Sequence, residues 1–385
     1  MTRLDDLLGR PVSMRSLALL RILLGPVVLL HLRPFLTDLL DGHIYRDSFH
    51  EPYASWYPEL PRLVYGSLLW VAAIAAVMMS VGLLTRVATT TTFLVVAYNL
   101  FLSTTHVHNN RAYLVILLAG LAIGPCDREL SVDAWLRGRR GLPPRDTDAP
   151  GWPLWLLRFE AATVYGASGL SKLLDADWFG GTVTYLRVIE VRDRVMESPL
   201  PGWAVSLLTD RPFHTYAAKV IVLTELFIAV GLWCRRTRDA AVWVAVCFHV
   251  AIQVSASVEV FSYLAIAALV IWAVPSTLDR VVELDRTSRA HRRLEAGLRA
   301  LDWLARFRVV DGPPGAPVTV ADRDGARFRG RPAVVLVLSR LPITAWFALP
   351  CLLLPGVRRD RDGRNGGTRV DKAGGRVGSA AARAG

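Results

Sequence analysis

The stretch Trp152-Pro-Leu-Trp-Leu-Leu-Arg158-Phe-Glu160-Ala-Ala-Thr-Val-Tyr165-Gly-Ala-Ser-Gly-Leu-Ser-Lys172-Leu-Leu-Asp-Ala-Asp-Trp178 decides the fold class. From Trp152 it offers about twenty predominantly apolar residues, enough for one helix to cross a bilayer. Arg158, Glu160 and Lys172 interrupt it, and an ionisable group at membrane depth is costly enough to need a partner or a task. Arg158, Tyr165 and Lys172 recur at heptad spacing, so they form one helical stripe that drifts only slightly. The stripe rises about 21 Å from end to end. Two readings follow: Arg158 and Lys172 snorkel to opposite interfaces, or the stripe faces a pocket.

Working outward, further apolar runs lie near 14–33, 62–84, 87–105, 109–125, 216–234, 239–256 and 258–275. With 152–173 they predict an all-α polytopic membrane bundle of about eight transmembrane helices. The composition agrees: 52% of the 385 residues are hydrophobic and 20% charged, against roughly 45–50% and 25% in soluble domains. Net charge is +12. The arginines sit in short loops (Arg86; Arg128, Arg137, Arg139, Arg140, Arg145; Arg235, Arg236, Arg238) and in a Gly/Arg-rich tail. That pattern is a positive-inside bias and argues against nucleic acid as a partner. It predicts a multi-pass cell-membrane protein with both termini cytoplasmic and the lipid bilayer as its surroundings. The apolar run from Leu17 to Leu30 is followed by His31-Leu-Arg-Pro34 and no small-residue cleavage site, so it reads as a retained first helix.

The longer outer loops, about 34–61 and 174–215, read as short interfacial helices or caps. Tyr45, Tyr53, Trp56 and Tyr57 form either an outward aromatic groove or an interfacial belt. Cys126, Cys234, Cys247 and Cys351 lack metal or redox spacing, and no metal site is expected. Glu225, near the middle of its segment, needs a cation; Lys219 and Arg158 are the candidates, and a structural ion pair is favoured over a catalytic acid. His249 and Gln253 share a helix face one turn apart. They read either as interhelical hydrogen-bonding residues or as pocket lining.

After Pro275 the pattern changes. It predicts an amphipathic helix over about 287–305, a strand Phe307–Val310, and a hairpin of Val318–Val320 with Ala326–Phe328 across Asp324-Gly325. The apolar stretch from Ala333 to Pro355 contains Arg340, Pro342 and Pro350, so a helix lying on the membrane surface is preferred to a ninth span. The domain limits are therefore 1–275, 276–357 and a disordered tail, 358–385.

Three patches carry a resemblance to a known family. They are Asn109-Asn110-Arg111-Ala-Tyr113-Leu114 with Ser131-Val-Asp133; Leu157-Arg158, Tyr165, Gly169 and Lys172 with Asp175-Ala-Asp177-Trp178; and Phe248-His249 with Gln253 and Phe261-Ser-Tyr263. Over about 16–275 they resemble the HTTM (horizontally transferred transmembrane) proteins and the membrane domain of vitamin K-dependent γ-carboxylase. The resemblance implies a quinol-linked oxidase, epoxidase or carboxylase-like enzyme acting on a reduced naphthoquinone (menaquinol or vitamin K hydroquinone). It makes Lys172 the catalytic base, its neutral amine favoured by a low-dielectric setting. It makes Asn110, Tyr165, His249, Gln253 and Tyr263 pocket residues, with Arg111 and Arg158 steadying anionic charge and Asp177 and Trp178 capping the helix end. Arg111 stands where the carboxylase has histidine, and one residue is inserted after Lys172. The family also implies an alternative: a non-catalytic membrane protein that assists maturation or export of a small secreted peptide.

The segment Asp285-Arg-Thr-Ser288-Arg-Ala-His291 resembles the opening of the DCC thiol-disulfide oxidoreductases, with Ser288 and His291 at the two cysteine positions. That implies a small cytoplasmic α/β thioredoxin-like remnant without redox activity, since neither side chain supplies a thiolate.

Overall fold

The computed structural model describes residues 8–41, 52–256, 260–273, 280–322, 325–341, 343–348 and 351, and the chain divides into two compact units, 1–275 and 276–385. The first unit is helical. Its elements are β1 (Pro11–Ser13), α1 (Arg15–Leu40), α2 (Arg62–Val81), α3 (Thr85–Leu102), α4 (Asn109–Ile123), α5 (Val132–Arg139) and β2 (Asp148–Pro150). There follow α6 (Trp152–Leu174), four short helices, α7 (Ala176–Phe179), α8 (Thr182–Glu190), α9 (Arg192–Met196) and α10 (Gly202–Thr209), then α11 (Arg211–Gly231), α12 (Arg238–Ala256) and α13 (Phe261–Ala268). A 3₁₀ turn, Leu269–Trp272, extends α13.

Among the described residues three helices, α1, α2 and α11, are long and apolar enough to cross a membrane. The remaining predicted spans are helices too, but α4 and α13 are short and α6 carries three ionisable residues. The first helix continues seven residues beyond the predicted end at 33, with Pro26 and Pro34 both inside it. The loop after α6 breaks into short helices, as its Gly, Pro and Asp punctuation predicts.

At one end of this unit, β1 pairs antiparallel with β2. Arg15 pairs with Glu129 at 3.3 Å, and both Arg86 and Arg145 pair with Asp127. Asp133 closes the α2–α3 turn: its carboxylate accepts from the Leu84 N–H, the Thr85 N–H and the Thr85 hydroxyl at 2.7–2.9 Å. Partial burial acts against ionisation, but those hydrogen bonds, helped by Arg21, hold this carboxyl below the usual range. The sequence reading passed over Arg21. It is fully buried in α1 and donates to the carbonyls of Cys126, Met79, Ser80 and Leu130. Gly82 makes room for it, because a Cβ there would lie 2.5 Å from its Nη1, and the backbone needs φ +75°.

The second unit contains β3 (Arg280–Leu284), α14 (Arg289–Leu301), β4 (Phe307–Asp311), β5 (Thr319–Ala321), β6 (Arg327–Arg329), α15 (Arg331–Leu338) and α16 (Ala345–Ala348). β3, α14 and β4 form a parallel βαβ unit, and β5 and β6 complete a sheet of order β4-β3-β5-β6 by antiparallel pairing. Its core is Val282, Leu284, Leu298, Phe307, Val318, Val320, Ala333, Leu336 and their neighbours. The sequence reading missed β3, an inner strand, because Val281-Val-Glu-Leu284 is short and its buried face begins with Arg280, so it lacks the apolar alternation of a half-buried strand.

The single surface helix expected over 333–355 is not formed. α15 ends at Leu338 and turns Ala333, Leu336 and Val337 into this unit's core, so it is a structural element of the sheet domain. The expected tail, 358–385, lies outside the described residues.

Candidate functional site

α6 and α11 pack along their length, and Gly169 sets how closely they approach. A Cβ at 169 would lie 3.0 Å from Leu226 and 3.3 Å from the Cβ of Glu225, tighter than ordinary packing. That proximity lets Lys172 reach Glu225. Its ammonium donates to both carboxylate oxygens, at 2.7 and 2.8 Å, and to Ser168 Oγ at 2.6 Å. Ser168 in turn donates to Glu225 Oε1 at 3.1 Å. Lys172 and Ser168 are one turn apart on α6, so helix periodicity alone brings them onto one face. The partner predicted for Glu225 was therefore wrong in identity. Lys219 lies over the Phe179 and Tyr216 rings, and Arg158 is engaged elsewhere.

Two turns before Lys172, Tyr165 is buried, and its hydroxyl lies 2.7 Å from His249 Nε2 on α12. The His249 ring packs edge-on against Phe248 and Phe261. Among the described residues, its Nδ1 and the Oε1 of Gln253, one turn further along α12, are buried without a hydrogen-bond partner. Ion pair and Tyr–His pair face a common cavity of about 30 Å³, walled by Tyr113, Tyr165, Ser168, Glu225, His249, Phe261 and small residues of α6 and α13. That volume holds one or two waters.

Of the residues expected at the site, the structure brings Tyr165 and His249 to the cavity and places Lys172 directly behind its wall. Gln253 stands a turn away. Asn110, Arg111, Arg158 and Tyr263 are not part of the wall. Arg111 donates to the His106 carbonyl and lies over the Phe35 ring, and Asn110 is in the first turn of α4. Arg158 donates to the Ile271 carbonyl at 2.9 Å and rests between Trp155 and Trp272, so backbone and aromatic faces hold its charge. Tyr263 is 48% exposed. The capping carboxylate of α7 is Asp175, which accepts from the Asp177 and Trp178 N–H groups; Asp177 is exposed. Trp178 instead lies under Lys172, 5.0 Å from Nζ, with Arg187 also against its ring.

Tyr113 and Ser168 were missed as wall residues. Ser168 was legible from its one-turn spacing to Lys172. Tyr113 was not, because its place opposite Tyr165 depends on how α4 meets α6. In the second unit, the predicted cysteine-equivalent residues do not form a pair: Ser288 precedes α14, while His291 Nδ1 accepts from the Asp285 N–H. Among the described residues no group of His, Cys, Asp and Glu is arranged to hold a metal ion.

The sequence matches the HTTM domain family over residues 9–276, well over half of the chain, and the chain belongs to that family. No curated protein and no solved structure matches it.

Proposed function

We propose that this member of the HTTM domain family is a multi-pass membrane enzyme that takes a proton from the hydroxyl of a reduced quinone, of the naphthoquinol class, at the cavity between α6, α11, α12 and α13. The observation that carries this reading is the convergence of two hydrogen-bonded pairs, Lys172–Glu225 and Tyr165–His249, on one small space. The polar groups suit a phenolic hydroxyl: Tyr165 donates or accepts, His249 does either according to its tautomer, and Glu225 accepts. The space suits water as it stands, so a bicyclic ring enters only when the surrounding helices part.

Lys172 donates to both carboxylate oxygens of Glu225 and to Ser168 Oγ, contacts that support reading Lys172 together with Glu225 where the family resemblance implies Lys172 alone as the base. The proton-accepting unit is the pair. Glu225 takes the proton while Lys172 steadies the negative charge that appears on the oxygen. When bound, the quinol supplies reducing equivalents; the chain's own residues hold its hydroxyl and exclude bulk water. The remaining apolar helices complete the bundle of about eight spans. The C-terminal unit is a thioredoxin-like remnant, a reading supported by its βαβ unit followed by an antiparallel hairpin.

The test is quinone extraction and quinol turnover with detergent-purified protein, wild type against Lys172→Met and Glu225→Gln. Turnover in the wild type and loss in both variants is the expected result. Equal turnover in all three removes the pair from the mechanism. The cavity's closure to a ring favours one second reading, a non-catalytic membrane protein assisting a small secreted peptide. Folded protein that never yields a copurifying quinone would favour that reading.

A further inference from the structure

Helix α14 divides its surface sharply. Leu294, Leu298 and Leu301 pack into the core of the C-terminal unit. On the opposite face Arg289, Arg292 and Arg293 are exposed, and none has a carboxylate partner among the described residues. Residues three and four apart share a helix face, so these three guanidinium groups form one patch. The acids within reach are already taken: Glu295 pairs with Arg299 and Arg286, and Asp311 pairs with Arg286. Beyond the other end of the helix, about 15 Å along its axis from Arg293, Trp303 is 42% exposed, and its indole N–H donates to the carbonyl of Ala300, a residue on the arginine face. Elsewhere on the unit Phe347 is 82% exposed.

Every fixed positive charge from 280 to 341 is arginine, with no lysine. Guanidinium is the weakly hydrated, fork-shaped cation that binds phosphate oxygens in pairs. β3 begins at Arg280, seven residues after Ala273 in the last apolar segment. An extended chain of that length reaches about 25 Å, so a bilayer surface is within reach of this unit.

We propose that the arginine face of α14 docks on the anionic phospholipid headgroups of the bilayer in which the chain is embedded, with Trp303, at the far end of the same helix, entering the interfacial layer. Charge complementarity selects this occupant, and the exposed indole is the side chain that favours headgroup depth. Nucleic acid shares the charge requirement but gives no role to the tether. Each arginine near an anionic surface contributes about fivefold to the bias, so three give about a hundredfold, falling as salt screens the charges.

The experiment uses the full chain reconstituted in phosphatidylcholine vesicles containing phosphatidylglycerol. Trace diazirine-bearing phosphatidylglycerol or phosphatidylcholine is photolysed, and crosslinks are mapped to peptides. Residues 289–303 are expected to favour the phosphatidylglycerol probe strongly at low salt and to approach parity in concentrated salt. The combined R289Q, R292Q and R293Q substitutions remove the preference, while lysine at the same positions retains part of it. These side chains are exposed and have no carboxylate partner among the described residues, so the melting temperature of the glutamine variant stays at the wild-type value and separates lost docking from lost fold. Equal labelling by both probes, or no labelling of 289–303, overturns the proposal. Complete displacement of the lipid crosslinks by a single-stranded RNA homopolymer at physiological salt also overturns it and reassigns the face to nucleic acid.

Discussion

Two cations in the helical unit, Arg21 fully buried and Lys172 partly buried, are held in opposite ways. Arg21 spreads its charge over four backbone carbonyls, from the end of α2 and the segment after α4. None of these acceptors moves without moving backbone. Lys172 relies on two side chains, Ser168 and Glu225, beside a cavity. A cation satisfied by backbone is a fastener, whereas one satisfied by a carboxylate can exchange its proton and shift its partner. Location alone does not distinguish them, since both sit in apolar helices. The difference lies in the kind of acceptor.

The sharpest way to break the comparison is to remove Arg21. Arg21→Leu orphans several buried carbonyls and should cost about 3–5 kcal/mol, the range seen when a buried charge loses its setting. Cys126, buried and contributing one of the carbonyls, is a built-in reporter. Its thiol should react with a maleimide dye far faster in the variant than in the wild type. Unchanged labelling together with an unchanged melting temperature would show that Arg21 is no fastener.

Glu225 comes next. Glu225→Leu alone leaves a partly buried ammonium without its carboxylate and should destabilise by about 2 kcal/mol, while Glu225→Leu combined with Lys172→Met should recover most of it. Recovery in the double variant, measured by thermal melting in detergent, is what separates an exchangeable pair from a fastener. A double variant no more stable than the single one would place both residues in the same class as Arg21.

The sequence announced Lys172 and hid Arg21, and the reason is physical. Lys172 stands in a motif with Gly169, Asp175 and Trp178 near a helix end, where hydropathy falls and the residue attracts notice. Arg21 lies amid Leu17–Leu24, with no acidic residue at helical spacing, and its partners come from segments 58–109 residues away. Carbonyl partners leave no trace in residue type. The same limit explains Glu225: its central position was legible, but the choice among Lys172, Lys219 and Arg158 depends on the angle between α6 and α11. Strands β4, β5 and β6 were legible from turns and alternation, whereas β3, with Arg280 on its buried face, does not alternate cleanly.

Asp133 lies between the two extremes, a carboxylate held by backbone N–H groups and one hydroxyl. Asp133→Ala should cost about 1 kcal/mol, the usual value of a helix cap. Its carboxyl is depressed in the folded chain, so its contribution is complete above about pH 4, the unfolded value. It is lost as the pH falls through the lower folded value. The melting temperatures of wild type and Asp133→Ala should therefore converge below pH 4. A gap that persists undiminished at pH 2.5 would assign the cost to packing. In the C-terminal unit Asp285 follows the same rule, with its carboxyl held down to about 2 by the Thr287 hydroxyl and the Gly315 and Thr287 N–H groups.

The smallest expected effect is at Tyr165. Tyr165→Phe removes the bond to His249 Nε2, and His249 Nδ1 has no partner among the described residues, so the imidazole loses the one hydrogen bond the described residues give it. In hydrocarbon surroundings such a loss averages about 0.6 kcal/mol, because alternative partners are found. Here the cavity supplies the alternative, since one or two waters fit against His249, Glu225 and Ser168. A small loss of melting temperature, with quinol turnover lowered more than stability, is the outcome that places water and Tyr165 in the proton path. A loss above about 2 kcal/mol means the cavity is dry, because only a dry site leaves the imidazole unpaired. In that case Tyr165 joins Arg21 as a fastener, and the exchangeable part of the site shrinks to Lys172, Ser168 and Glu225.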